Sequence, residues 1–361
     1  MKRVLIIDDD AAVRMLLKRS LEKLSYAIDV AENGPAGLIS TERVFYDLIL
    51  LDVMMPVMDG YEVLKEIRNG SASATSPVIM VTSLSDQSSV LKAMQLGACD
   101  YVIKPFDAGH FLHKVSRWAN SREEEKWKML EPEQENALKL TLTTLDKGHN
   151  AILKGRPLPY EEYKNTGREI VNVISKNMVK PVLEALKDHD SYTFVHSMRV
   201  GIYLSIFART IKEFSDDDVS IVTEGGIIHD VGKARTPLKV LNKPGSFRPD
   251  EWEEMKSHVN YGVEILKRTE GIPEAVMEIS WNHHEKLDGT GYPRGLRESE
   301  IGVLSRMSAI VDVYVALTDR RVYKPSLSYA ESAAILRKSR TQLDQSLVEE
   351  FLQIIEEGGY T

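Results

Sequence analysis

Four short apolar runs punctuate the first 120 residues: RVLIID at 3–8, DLILLD at 47–52, PVIMVTS at 77–83 and DYVIKP at 100–105. Each has the length of a strand, and each is too uniformly apolar to expose one face, so these read as strands covered on both sides. The intervening segments, such as Ala11 to Leu24, carry apolar residues at helical spacing. Strand and helix alternating in this way predict an α/β doubly wound parallel sheet. From about Ser121 the pattern changes to a charged, helix-forming stretch, SREEEKWKMLEPEQENALKLTLTTL, whose apolar spacing is not a sustained heptad. After KGRPLP the chain shows long helical patterns, few strand-like alternations and no internal repeat. The predicted architecture is multidomain: the α/β doubly wound domain over 1–120, a charged helical linker over 121–155 that reads as a solvated helix, and an all-α domain over 156–361.

In a doubly wound sheet the functional groups collect at the carboxyl ends of the strands. There the sequence places Asp8, Asp9, Asp52, Thr82 and Lys104. Three carboxylates converging on one edge repel one another unless a cation lies between them, and hard oxygen donors without imidazole favour Mg²⁺. With LDVMMPVMDG around Asp52, Tyr101 after its strand and KPF at Lys104 to Phe106, this part of the chain resembles the receiver domain of bacterial response regulators. The resemblance implies that Asp52 is the phosphoacceptor for a sensor histidine kinase and that Asp8, Asp9 and Asp52 hold Mg²⁺. It also implies that Lys104 contacts the phosphoryl oxygens and that Thr82 and Tyr101 form the conformational switch.

The helical part spaces its possible metal ligands at His196, His229, Asp230, His258, His283, His284 and Asp312, roughly 25 to 33 residues apart, or about one helical hairpin each. Successive helices of a bundle could aim them all at one cavity. His110, His113, His149 and His189 fit no such spacing and receive no role. The ligands sit in distinctive surroundings: HDVGK at 229–233, KPG at 243–245, HHEKLDGTGYP at 283–293 and DVYVALTDRRVYK at 312–324. Together these blocks resemble the HD-GYP family, metal-dependent phosphodiesterases that hydrolyse cyclic di-GMP.

That resemblance implies an all-α HD-GYP domain holding two divalent transition metals. Nitrogen and oxygen donors together suit Fe, Mn, Ni or Zn, with Fe or Mn favoured. Asp230 would bridge the two ions, His196, His229 and Asp312 would complete one set, and His258, His283 and His284 the other. Asp230 and Lys233 are the expected catalytic residues, with Lys233 reaching a phosphoryl oxygen. Tyr292 would offer an aromatic face to a guanine base, the glycines of DGTGYP would let the backbone approach the ligand, and Arg321 and Lys324 would bind the dinucleotide's phosphates. Tyr192 stands where some members have a glutamate that helps to hold a third metal, so a binuclear site is expected. Val315, Asp319 and Val322 stand where aspartate, serine and proline are common, which bears on substrate preference.

The expected whole is a response regulator, phosphorylated on Asp52, that controls hydrolysis of cyclic di-GMP to pGpG and onward to GMP. The alternatives are preference for another cyclic dinucleotide such as cyclic GMP-AMP, or a catalytically weak cyclic-dinucleotide receptor or adaptor. The 361 residues are too many for one typical core, and 43% apolar with 28% charged residues is ordinary globular composition. A net charge of -8 and the lack of a compact basic helix-turn-helix argue against nucleic acid as a partner. No apolar run approaches the ~18 residues that span a bilayer, and MKRVLIIDDD is broken by carboxylates, so no membrane association is expected. The single cysteine, Cys99, excludes an internal disulfide and fits the reducing cytoplasm. The charged connector suits a homodimer.

Overall fold

The computed structural model describes residues 2–24, 26–187, 189, 191–211, 214–241, 243, 245–319 and 326–360. It divides into two units, Met1–Glu125 and Lys126–Thr361. The first alternates β1 (Arg3–Ile7), α1 (Ala11–Leu21), β2 (Ala27–Ala31), α2 (Gly34–Arg43), β3 (Leu48–Leu51), α3 (Gly60–Arg68), β4 (Val78–Thr82), α4 (Gln87–Gln95), β5 (Asp100–Ile103) and α5 (Ala108–Ala119). All strand pairs are parallel, in the order β2-β1-β3-β4-β5. This is the expected doubly wound sheet.

Every residue of β3 and β4 is buried, which is why those runs carry no polar alternation. One apolar cluster, containing Leu5, Ile7, Ile49, Leu51 and Val63, lies on one face of the sheet, and a second, containing Val4, Ile6, Leu50, Val81 and Phe111, on the other. Helix starts follow from short polar caps that satisfy otherwise bare amides. Asp10 accepts from Ala12 N and Val13 N at the start of α1, and Asp59 with Glu62 forms a capping box at the start of α3.

The second unit is helical throughout. After α6 (Ser121–Lys126), which crosses the boundary between the units, come α7 (Pro132–Leu153), α8 (Tyr160–Ser175), α9 (Val179–Leu186), α10 (Tyr192–Ala208) and α11 (Asp216–Ile228). They are followed by α12 (Leu238–Leu241), α13 (Pro249–Lys267), α14 (Glu274–Asn282), α15 (Val303–Thr318), α16 (Tyr329–Lys338) and α17 (Gln345–Gly358). The stretch read as a solvated connector does more than connect. Trp127, Ala137, Leu138 and Leu142 belong to the core of the helical unit, and α7 packs along α8. Its high charge sits on the remaining faces, so the composition concealed a buried stripe.

Helix α10 lies at the centre of this unit, buried on almost every side and packed against α7, α8, α11 and α15. Its crossing with α11 is a backbone contact: a Cβ on Gly226 would lie 2.8 Å from the Cα of Gly201. No side chain fits there, and the close approach sets the distance between the ends of α10 and α11 that carry chemistry.

Candidate metal centre and receiver site

The seven ligands predicted for the helical unit arrive from five helices. His196 lies one turn into α10, His229 ends α11 and Asp230 follows it, His258 lies on α13, His283 and His284 end α14, and Asp312 lies on α15. The structure brings all seven together. Ligand atoms of His196, His229 and Asp230 lie within 4.8 Å of one another, as do those of Asp230, His258, His283 and His284. Asp312 joins through Oδ1, 3.1 Å from His196 Nε2, and Oδ2, 3.6 Å from His284 Nδ1.

Asp230 stands between the two histidine groups. Its Oδ2 is 3.2 Å from His229 Nε2 and 3.6 Å from His196 Nε2, and its Oδ1 is 3.3 Å from His258 Nε2 and 3.7 Å from His283 Nε2. The Lys233 ammonium also contacts Asp230 Oδ2.

Three of the imidazoles share one orientation. His229 Nδ1 is 2.7 Å from Gly226 O, His258 Nδ1 is 2.6 Å from Met255 O, and His283 Nδ1 is 3.0 Å from Ser280 O. In each case the carbonyl three residues earlier takes the Nδ1 proton, which leaves the lone pair on Nε2. Among the described residues, those three Nε2 atoms, the Nε2 of His196 and Asp230 Oδ1 are buried without a hydrogen-bond partner. Leaving five such atoms bare costs about 5–15 kcal/mol at ~1–3 kcal/mol each, comparable with the whole stability of a domain. Inward lone pairs backed by hydrogen-bonded Nδ1–H groups are the arrangement of metal-ligating histidine. The donor set therefore fits divalent cations.

Electrostatics supports the same reading at every ligand with a resolved shift except His196. Burial disfavours ionised Asp230 and Asp312, yet Lys233 and His229 for the first, and His196 and His284 for the second, hold both well below the usual carboxylate range. Burial pushes His258 and His284 down, toward the neutral form a cation needs. For His196 burial is outweighed by Asp312 and Asp319, which raise it to about 9.

Around this centre, Tyr292 lies against His284 with ring centroids 4.6 Å apart, and Trp252 meets its edge at 5.9 Å. One of the GYP glycines, Gly291, serves the loop itself. A Cβ on Gly291 would lie 2.4 Å from Lys286 N and 2.5 Å from Glu285 Cα, so the close approach is to the loop's own backbone. Buried Glu285 ties the loop down by accepting from Arg294 N (2.7 Å) and Leu296 N (2.9 Å). Tyr192 stacks on His196 with centroids 5.2 Å apart. Arg321, Val322 and Lys324 lie outside the described residues.

In the first unit, Asp8 and Asp52 are buried at the ends of β1 and β3, and Asp9 is exposed beside them. Lys104 Nζ donates to Asp8 Oδ2 (2.7 Å) and Asp52 Oδ1 (2.9 Å). The ammonium thus already offsets part of the repulsion that calls for a cation there. Burial pushes the Asp8 carboxyl up against the opposing pull of Lys104, and the two carboxylates outweigh burial to raise Lys104. Thr82 is buried at the end of β4, its Oγ1 3.4 Å from Leu84 N, and the Tyr101 hydroxyl donates to Leu84 O (3.0 Å). The two proposed switch residues therefore meet on one backbone residue. Burial, with Tyr61 and Asp86 nearby, pushes Tyr101 up to about 12.

Residues 4–116 match the family described as response regulator receiver domain, and residues 182–347 match the HD domain. A cyclic di-GMP phosphodiesterase of Thermotoga maritima is 32% identical over 359 residues, covering 98% of this chain and 90% of that protein. The chain belongs to the cyclic di-GMP phosphodiesterase family. Two further members share its span. A probable cyclic di-GMP phosphodiesterase of Vibrio cholerae is 30% identical over 97% of this chain and 77% of that protein. The cyclic di-GMP phosphodiesterase response regulator RpfG of Xanthomonas campestris is 27% identical over 94% and 84%. The chain is thus a receiver joined to a metal-dependent HD phosphodiesterase domain of this family.

Two residues beside the centre have no counterpart in the sequence reading of the site. Asp319 carries a fully buried side chain whose Oδ2 is 3.0 Å from His196 Nδ1, and Arg199 contacts its Oδ1. Asp319 stood out in the sequence only as a departure from the serine common in the family. Its partners are 123 and 120 residues away, so no local pattern announces the contact. No helix of the described residues is long and apolar enough to cross a membrane.

Proposed function

We propose that this member hydrolyses cyclic di-GMP to linear pGpG, and onward to GMP, under the control of phosphorylation at Asp52. The observation that carries the hydrolytic reading is the set of buried, partnerless Nε2 atoms turned toward Asp230, backed by Nδ1 hydrogen bonds. His196, His229, Asp230 and Asp312 would hold one ion, and Asp230, His258, His283 and His284 the other, with Fe or Mn favoured over Ni or Zn. When bound, two such ions activate water and neutralise charge on a phosphodiester.

The chain's own residues supply the rest. Asp230 keeps the two ligand groups in register by offering one oxygen to each. Lys233, whose ammonium contacts Asp230, would pair with a phosphoryl oxygen. Tyr292 would take a guanine face against His284, and Arg321 and Lys324 would hold the phosphates. Water's oxygen bonds to phosphorus, the bond to the ribose 3′ oxygen breaks, and that oxygen leaves with a proton. One such event opens the ring to pGpG and a second yields two GMP.

In the receiver, Mg²⁺ would be held by Asp8, Asp9 and Asp52, and Lys104 would move from the free carboxylates onto the new phosphoryl oxygens. Thr82 and Tyr101, both anchored at Leu84, are placed to report that change. A sensor histidine kinase is the proposed phosphodonor, the cytoplasm the proposed setting and a homodimer the proposed assembly.

A second substrate reading has a specific support. A 3'3'-cGAMP-specific phosphodiesterase of Vibrio cholerae is 36% identical over 151 residues, although these are 42% of this chain and 29% of that protein. Hydrolysis of cyclic di-GMP and 3'3'-cGAMP compared on purified, metal-loaded protein, with and without an acyl-phosphate donor, tests the whole reading. It expects a higher kcat/KM for cyclic di-GMP, pGpG as the first product and a donor effect that is absent in Asp52→Ala. A preference for cGAMP overturns the substrate, and binding of either nucleotide without turnover at full metal loading makes the protein a receptor.

A further inference from the structure

Three of the four histidines that turn a buried Nε2 toward Asp230 are oriented by neutral carbonyls of their own helices. His196 is different. Among the described residues no carbonyl takes its Nδ1; the nearer partner is the carboxylate of Asp319, 3.0 Å away and 123 residues later in the chain, with the Tyr192 hydroxyl farther off at 3.5 Å. Asp319 follows α15, and its backbone N–H donates to Val315 O at 2.7 Å, which fixes the residue where the helix ends. Its side chain is fully buried, and a buried carboxylate is tolerated only when paired. Arg199, one turn beyond His196 on α10, supplies the pairing charge at Oδ1 and donates from its second terminal nitrogen to Thr318 Oγ1 at 2.9 Å. The result is a closed chain of contacts, Thr318 and Asp319 to Arg199 and His196, that locks the end of α15 onto α10.

We propose that Asp319, backed by Arg199, is a positioning residue that holds His196 with Nε2 toward the cavity and strengthens it as a ligand, making the His196 side of the metal centre selectively dependent on a buried carboxylate. A carboxylate is a stronger acceptor than a carbonyl, so the Nδ1–H bond to Asp319 places more electron density on Nε2 than the carbonyl bonds place on His229, His258 or His283. The orientation follows too, because an imidazole that donates from Nδ1 has its lone pair on Nε2. Arg199 pairs the charge of Asp319 and fixes its rotamer. The two halves of the centre therefore differ: the half shared by His196, His229 and Asp312 contains a carboxylate-backed imidazole, and the half shared by His258, His283 and His284 contains carbonyl-backed ones.

The inference rests on the reading of the cavity as a two-ion site, and the experiment separates the two. Wild-type full-length protein, Asp319→Asn and the double variant Asp319→Asn/Arg199→Gln are stripped with chelator and titrated with Mn²⁺. Ions bound per chain and their affinities are read by elemental analysis and by the electron paramagnetic resonance of coupled and isolated Mn²⁺. The double variant removes both buried charges together, so it stays folded if the single variant does not. Asp344→Asn, which removes the partly exposed Arg306 ion pair in the same unit, measures the general cost of losing an ion pair away from the cavity.

Expected is a fall of about tenfold to a hundredfold in affinity for one ion, little change in the other, and loss of the coupled Mn²⁺ signal at intermediate Mn²⁺ that returns at saturation. Near wild-type affinity for both ions in the Asn variants overturns the proposal, as does an equal fall in Asp344→Asn. Wild type that binds fewer than two ions sinks the two-ion reading instead.

Discussion

Replacing Asp230 by alanine removes the carboxylate that faces both histidine groups, with Oδ2 3.2 Å from His229 Nε2 and Oδ1 3.3 Å from His258 Nε2. The loss is therefore felt twice. A hydrogen bond or ligand contact to a charged group is worth about 1.5–3 kcal/mol, so two such contacts sum to about 3–6 kcal/mol. At about 1.4 kcal/mol per tenfold, kcat/KM for cyclic di-GMP falls by ~10²–10⁴-fold at fixed metal concentration. The Lys233 ammonium adds to the effect, since without its partner it stands as a bare positive charge beside the ions. The assay pairs product analysis with metal content on the same sample. Asp230→Asn serves as the control of shape, and near-ultraviolet circular dichroism as the control of fold. The expected result is less than one ion per chain with activity lost in both variants. Wild-type kcat/KM with two ions bound in Asp230→Ala refutes the argument, because it would mean that neither ion uses this carboxylate.

Asp52→Ala keeps basal hydrolysis measurable and abolishes its response to an acyl-phosphate donor; an unchanged response in a donor titration would place the input elsewhere. Arg321→Ala raises KM for cyclic di-GMP and lowers kcat/KM more for that substrate than for a small phosphodiester at equal metal loading; equal effects on both would make Arg321 a surface charge. Glu224 is buried between α8 and α11, where it accepts from the Tyr160 hydroxyl, and burial raises its carboxyl above the usual range. A carboxyl whose folded pKa is raised contributes stability below its unfolded pKa, about 4.5, and loses it as pH rises through the folded value. Glu224→Gln should therefore gain on the wild type in melting temperature between pH 5 and pH 8, and a difference independent of pH would show that Glu224 stays ionised throughout.

Much of the fold was legible because burial leaves an uninterrupted apolar run. β1, β3, β4 and β5 coincide with the four runs read from the chain. β2, Ala27–Ala31, carries Asp29 at its middle and was not among them. It is an edge strand, where one flank faces solvent, so Asp29 can reach Arg3 and Tyr46 there, and a polar residue costs little. The clustering of the proposed metal ligands was legible because each helix delivers one or two of them at the spacing of a helical hairpin. What supports them was not. Asp319 and Arg199 act through a contact between α10 and the end of α15, and the glycine contact between α10 and α11 depends on a crossing that no local pattern encodes. The Tyr292 loop was read as shaped for a ligand, whereas Gly291 is needed first by the loop's own backbone.

Reconstitution decides whether the cavity around Asp230 is a two-ion phosphodiesterase centre. Chelator-stripped protein is titrated with Mn²⁺ or Fe²⁺ while bound metal and conversion of cyclic di-GMP are followed in the same samples. The account predicts no hydrolysis without metal, little at one ion per chain, and pGpG formation that rises as the second ion binds. Full hydrolysis in metal-free protein, or none with two ions bound, would contradict it.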